Sequence, residues 1–261
     1  EPLRRLREHV PQGWTGTGPH AAAERAQRAV RREWLDGGHH RLPHGRGGRY
    51  VDDALLHRQA HGRCTLGRGL GIVAGRLDGS QQCFYIANDA SPNTFYRWRA
   101  EENKLLDQAL ALGLAVDAQS FDQGSMGIAS SDLDHDGDLD FYVTGFANEY
   151  NILYEQQSPG FWSDRTAVKG MVRDTLQTVG FGTEAVDLDN DGVDELLVTN
   201  GHVGIFKPPL PPYAQQFQLF RRQADGNYQS LDLQSWDRYF ESSHVGRALF
   251  AGDVDNDGRC D

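Results

Sequence analysis

Recognisable catalytic signatures are what this 261-residue chain lacks. It has no Gly-x-Ser-x-Gly elbow, no Gly-x-x-x-x-Gly-Lys-Ser/Thr phosphate loop, no His-Glu-x-x-His and no Cys-x-x-Cys. The usual hydrolase, nucleotide, zinc-protease and dithiol arrangements are thereby excluded, and the chain is expected not to be an enzyme. No apolar run approaches the ~18–20 residues of a membrane-spanning helix. Neither a secretory leader nor an Asn-x-Ser/Thr sequon is visible. Cysteine is scarce: Cys64, Cys83 and Cys260 are the three present. An odd number leaves at least one thiol outside any bridge within the chain. A Cys64–Cys83 disulfide and a pair of unbridged buried thiols both stay open. His57 and His61 are four apart and would share a helix face. They lack the glutamate and third ligand of a metalloprotease, so they read as solvated loop residues, as do His39 and His40.

What the chain has in excess is carboxylate. Lys and Arg number 26 against 37 Asp and Glu, a net charge of −11. The balance is uneven: residues 1–68 carry +6 and residues 69–261 carry −17. An acidic surface of that kind argues against nucleic acid as a partner. Much of it falls in three loops that say nearly the same thing: Asp132-Leu-Asp-His-Asp-Gly-Asp-Leu-Asp140, Asp187-Leu-Asp-Asn-Asp-Gly-Val-Asp-Glu195 and Asp253-Val-Asp-Asn-Asp-Gly-Arg-Cys-Asp261.

Each loop places carboxylates at positions 1, 3, 5 and 9 and glycine at position 6. Four like charges in one turn repel one another, whereas a hard divalent ion taking 6–8 oxygens at roughly 2.3–2.6 Å turns that repulsion into coordination. The expected side-chain ligands are Asp132, Asp134, Asp136 and Asp140; Asp187, Asp189, Asp191 and Glu195; and Asp253, Asp255, Asp257 and Asp261. Position 7 (Asp138, Val193, Arg259) varies in chemistry, as suits a residue that offers only its backbone carbonyl. Gly137, Gly192 and Gly258 permit the positive φ that curls the loop. Magnesium keeps its waters and takes few carboxylates, so Ca2+ is the expected cofactor. With no cysteine or histidine at the repeated positions, zinc and copper fit poorly.

An EF-hand would need a glutamate at loop position 12 and flanking helices. Position 12 is Val143 in the first loop and Val198 in the second. The runs that follow, Phe141-Tyr-Val-Thr144 and Leu196-Leu-Val-Thr199, read as strands. The loops therefore close β-hairpins.

The first two loops begin 55 residues apart and the second and third 66 apart, a period that suggests a propeller or array. Small, apolar strands precede the loops at 127–131, 182–186 and 248–252. Further strands follow at 141–145, 151–154 and 160–164 in one unit, and at 195–200, 218–220 and 226–229 in the next. Four short strands per unit make a propeller blade. An earlier copy is visible at 71–75, 84–87 and 93–96. Its loop, Arg76-Leu-Asp-Gly-Ser-Gln-Gln-Cys83, is a residue short and has arginine at position 1. That blade is expected to keep its strands and lack the ion, since Asp78 alone does not hold calcium.

These segments resemble the FG-GAP/VCBS repeats of integrin-α-like propellers. Phe84-Tyr-Ile-Ala-Asn-Asp-Ala-Ser-Pro-Asn-Thr-Phe-Tyr96, Phe146-Ala-Asn-Glu-Tyr-Asn-Ile-Leu-Tyr154, Val179-Gly-Phe-Gly182 and Asn200-Gly-His-Val203 are closer to the propeller portion of ASPIC/UnbV-type proteins. The resemblance implies an all-β, seven-bladed, calcium-binding propeller in a largely secreted family, with no defined reaction. This chain has length for about four blades and stops on Asp261, so it reads as a β-propeller fragment whose remaining blades come from the rest of a longer chain. Residues 45–261 form the blade region. Residues 1–44 are an atypical Arg/His/Gly-rich segment, with helix formers over 21–35.

The expected function is recognition at a propeller face: adhesion or matrix assembly outside the cytoplasm, at the cell surface or in a periplasm, with a protein or glycan ligand. The alternative is a carbohydrate-binding or polysaccharide-cleaving propeller. Trp98, Trp162, Phe161, Tyr150 and Tyr213 are aromatics that stack on sugars or, more commonly in blades, fill the core. The proline-rich residues 208–212 form a stiff loop in the third unit and a candidate contact surface.

Overall fold

A computed structural model of the protein describes residues 68–208, 210–255 and 260. Residues 1–44, the helix expected over 21–35, and His39, His40, His57, His61 and Cys64 lie outside the described residues. So do Asp257, Gly258, Arg259 and Asp261. Val51–Phe206 together with Pro211–Asp261 make up one compact unit, and the fold below is that of its described part.

The unit is built from three four-stranded antiparallel meanders. The first runs β1 (Gly69–Gly75), β2 (Cys83–Asn88), β3 (Thr94–Arg99) and β4 (Lys104–Asp107). The second runs β5 (Ile128–Ser131), β6 (Asp140–Val143), β7 (Ile152–Ser158) and β8 (Phe161–Asp164). The third runs β9 (Gly180–Val186), β10 (Glu195–Asn200), β11 (Gln218–Arg222) and β12 (Tyr228–Ser230). In each sheet, sequence neighbours are hydrogen-bonded neighbours, the arrangement of a propeller blade. Three single-turn helices punctuate the connections: α1 (Ala109–Leu112), α2 (Val172–Thr175) and α3 (Arg238–Glu241). The sheets are all-β and fit a propeller fragment, as expected. The expected strand at 248–252 does not form: among the described residues it has no partner to pair with, although its backbone runs close beside β9.

The side chains of a strand alternate between its two faces, and the middle strands use both. On β6 and β7, Phe141 and Tyr154 join Tyr85, Phe95 and Trp162 in a core between the first and second sheets. Their neighbours Tyr142 and Leu153 join Leu196, Val198 and Phe220 between the second and third. The first core is aromatic, with ring centroids 5.0 Å apart for Tyr85–Phe141 and 5.5 Å for Phe141–Trp162. Trp162 is wholly buried and donates its indole N–H to the Leu139 carbonyl at 2.8 Å. Two asparagines brace the hairpins. Asn93 accepts from the Asn88 amide and donates to the Tyr85 hydroxyl; Asn151 does the same for the Gly145 amide and the Tyr142 hydroxyl. Burial pushes both phenols well above their ordinary range, so both stay protonated.

Successive sheets approach one another backbone to backbone along their first strands. A Cβ at Gly71 would lie 2.2 Å from the Met126 carbonyl oxygen. At Gly127 it would lie 2.0 Å from the Phe181 oxygen, and at Gly182 2.3 Å from the Leu249 nitrogen. The glycines open corresponding segments of the three units, so one steric demand recurs at each seam. Thr144 ties the second seam, accepting from the Gly127 amide at 2.7 Å and donating to the Phe181 carbonyl at 2.8 Å. Cys83 is a buried thiol that donates to the Gly75 carbonyl.

His202 is fully buried, edge-on to the rings of Phe146 and Phe206, with neither ring nitrogen hydrogen-bonded. Burial, then the charge of Arg247, lowers its pKa to about 4.

At the seam, Gly127→Ala should destabilise the protein by about 1–3 kcal/mol through overpacking. Gly75→Ala, where the nearest atom to a Cβ is a Leu77 methyl at 3.6 Å, should stay within about 0.5 kcal/mol of the parent; urea denaturation of the pair checks both. For His202, the folded chain disfavours the proton, so its contribution is complete above the unfolded pKa of about 6.5 and is lost as pH falls toward the folded value. Stability should therefore fall more between pH 7 and 4.5 in the parent than in His202→Phe. Parallel losses in the two proteins would rule this out.

Candidate functional site: the carboxylate loops

The first loop joins β5 to β6 and the second joins β9 to β10. Position 12 of each lies in a strand, Val143 pairing with Ile128 and Ile152, so the loops are hairpin connections as expected. Glycine at position 6 takes positive φ, +95° at Gly137 and +88° at Gly192. Position 4 is left-handed as well, +64° at His135 and +58° at Asn190.

The two loops share one hydrogen-bond scheme. At position 1, Asp132 accepts from the amides of Asp136 and Gly137, each at 3.0 Å. Asp187 accepts from Asp191 and Gly192 at 3.0 and 2.8 Å. At position 5, Asp136 accepts from the Asp138 amide at 2.9 Å and Asp191 from the Val193 amide at 2.8 Å. At position 9, Asp140 accepts from Leu133 and Glu195 from Leu188, each at 3.0 Å. A second Asp140 oxygen accepts from the Gln156 amide on β7. Position 9 thus buries a carboxylate that pins the loop's start to the strands behind it, with Asp140 and Glu195 each 1% exposed.

Of the expected ligands, Asp132, Asp134 and Asp136 bring one oxygen each to within 4.8 Å of one another; so do Asp187, Asp189 and Glu195. Oxygens at 2.3–2.6 Å from a common ion stand at most about 5 Å apart, so both triads fit a calcium-sized cation. Asp140 and Asp191 are outside these triads. Asp138 and Val193 follow the position-6 glycines. In the third loop, Asp253 and Asp255 are exposed, and the rest lies outside the described residues. Burial raises the Asp140 pKa to about 7, against the two amide donations. Burial, then the charges of Asp136 and Glu155, raises that of Asp134.

The residues that sequence reasoning missed come from the third strand of each sheet. Tyr96, Tyr154 and Phe220 pair with Phe84, Phe141 and Leu196 respectively. The next residues, at one register position, are Arg97, Glu155 and Arg221. Arg221 binds Asp189 at 2.6 Å and Glu195 at 2.8 Å, two of the three carboxylates in its triad. Arg97 pairs with Asp78, position 3 of the first sheet's short loop. Burial opposes ionisation of Asp78, but donation from Ser80 and the Arg97 charge hold its pKa below the usual value. Glu155 stands beside the intact Asp132–Asp140 loop and is neutralised by Lys169 at 2.7 Å, with Arg165 at 3.6 Å.

The loops also link the second and third sheets. Ser131 donates to Asp194, the Arg222 guanidinium to the Asp134 carbonyl, and Tyr228 to the Leu133 carbonyl.

Of the expected aromatics, Trp162 belongs to the core, and Tyr150 is half-buried and donates to Asp164 at 2.8 Å. Trp98, Phe161 and Tyr213 are exposed. Trp98 lines a shallow cavity with Arg97, Arg99 and Glu101. A second cavity lies along the first strands between Ile72, Ile128 and Glu184. Each brings a single carboxylate. The proline-rich residues 208–212 fall between β10 and β11, with Pro208 and Pro212 exposed and Pro209 outside the described residues. No described helix is long and apolar enough to cross a membrane.

No curated protein matches the chain. Residues 132–198 match the FG-GAP-like repeat family. The match opens on the first aspartate of the first loop and spans both described acidic loops. A repeat of this kind, carried on four-stranded meanders, points to a propeller-like adhesion or recognition module.

Proposed function

We propose that this chain is the calcium-clipped propeller portion of a non-catalytic recognition protein that works outside the cytoplasm, of the ASPIC/UnbV type. The observation that carries the reading is that two loops sharing one backbone hydrogen-bond scheme each bring three carboxylates within 4.8 Å of one another, at positions 1, 3 and 5 in the first and 1, 3 and 9 in the second. Asp132, Asp134 and Asp136 would hold one ion; Asp187, Asp189 and Glu195 would hold another. The bound cation supplies charge neutralisation. The chain's own residues do the rest: amides orient the carboxylates, the position-6 glycine turns the loop, and the position-9 carboxylate fastens it to the sheet. Extracellular-type sites have affinities of about 10⁻⁴–10⁻³ M, which suits a structural ion in calcium-rich surroundings.

The ligand is proposed to be a protein, or a glycan, bound at a sheet end. Trp98 favours the glycan: the residue is 45% exposed in a cavity edged by guanidinium groups, a surface on which a sugar ring can stack.

Calcium should stabilise the folded protein. At 10 mM, with the affinities above, each site contributes about 1.4–2.7 kcal/mol, which amounts to several degrees in Tm. Asp132→Asn combined with Asp187→Asn should remove most of that gain. Calorimetric melts in calcium and in chelator check it, and identical melts for the parent protein would sink the reading.

A further inference from the structure

We propose that the residue following the third-strand aromatic (Arg97, Glu155, Arg221) decides which loop takes a divalent cation, with arginine acting as a built-in substitute for the ion. The inference rests on the calcium reading above and concerns how the sites are ranked.

The geometry is the same in two sheets. Arg97 and Arg221 occupy one register position and both reach the carboxylate at loop position 3, Asp78 in one sheet and Asp189 in the other. In the first sheet the substitution is complete. The loop is one residue short, Arg76 stands where the other loops begin with aspartate, and Asp78 accepts from Ser80 while pairing with Arg97. The Asp78 side chain is 1% exposed and that of Arg97 19%. The guanidinium is thus a permanent, half-buried counter-charge to a buried carboxylate.

In the third sheet the same arginine meets an intact loop. Its Nη2 and Nε bind the Asp189 and Glu195 carboxylates, so an ion sharing those oxygens has to displace it. The Arg221 side chain is 36% exposed, which gives it a path outward to solvent. Binding at the second loop therefore begins with the rupture of an ion pair.

In the second sheet the position carries the opposite sign. Glu155 places a carboxylate, 4% exposed, beside the first loop and is held there by Lys169. Among the described residues, no arginine covers the Asp132, Asp134 and Asp136 oxygens in the way Arg221 covers those of the second loop. The Asp132–Asp140 loop should fill first, the Asp187–Glu195 loop second, and the 76–83 loop not at all.

The test follows each loop separately by two-dimensional NMR of the full chain during calcium titration. The amides of Gly137 and Gly192 bond to the position-1 carboxylates and report the two sites. Gly137 should respond at lower calcium than Gly192. Arg221→Gln should move the Gly192 midpoint to about two- to fivefold lower calcium, the scale of a partly exposed ion pair, and leave Gly137 in place. In chelator, Arg221→Gln should melt below the parent; in saturating calcium that deficit should close, because the ion takes over the guanidinium's role. Should this variant be unfolded in chelator, its recovery on adding calcium supports the proposal and failure to recover overturns it. Arg97→Gln should lose stability equally in chelator and in calcium, and rescue by calcium would overturn the first-sheet part. If neither glycine responds to calcium, the calcium reading itself fails. If both respond and Arg221→Gln leaves the Gly192 midpoint unchanged, calcium stands and the arginine ranking falls.

Discussion

The second sheet packs on two faces, and the strands in its middle supply a core to both described neighbours at once. Phe141 and Tyr142 are adjacent in sequence and wholly buried, yet they belong to different cores. Alternation usually puts one face of an antiparallel strand toward water; here both faces are apolar. That demand explains the unbroken run Phe141-Tyr-Val. It also explains why the hydroxyls of Tyr85 and Tyr142 are each met by an asparagine: an aromatic placed in a seam brings a polar tip that needs a partner. The first strands answer the same crowding by having no side chain where the next sheet's backbone arrives.

The acidic loops are built on that frame. Their outer carboxylates are half-buried or exposed, but position 9 is buried at the root of the second strand, where a carboxylate is costly unless its oxygens are bonded. Asp140 meets the requirement with two amides, and Glu195 with one amide and Arg221. The two loops share a backbone and differ in how they balance charge. The difference traces to the third strand and not to the nine residues of the loop.

Much of the fold was legible in the chain because the repeat supplied its own controls. The copies at 132–140 and 187–195 marked the hairpins, the glycine turns and the run of strands, and Val143 and Val198 separated hairpin from EF-hand. The gaps have physical causes. Lys104–Asp107, a four-residue strand, is too short for alternation to declare itself. Residues 248–252 have strand chemistry but, among the described residues, no partner to pair with. The arginines were hidden for another reason. Arg221 acts on Asp189, 32 residues earlier, across a connection that lengthens the unit, and only the pairing of Phe220 with Leu196 shows that it shares a position with Arg97 and Glu155. A loop motif can be read along the chain, whereas its countercharge is set by the sheet.

The position-1 aspartates accept two backbone amides each. A loop shaped in this way has settled most of its conformational entropy during folding, so a cation that binds it has little left to order. Such an ion is an addition to a finished structure and not the nucleus of one. On the proposed calcium reading, the chain would fold where calcium is scarce and stiffen where it is plentiful, its rigidity following the composition of its surroundings.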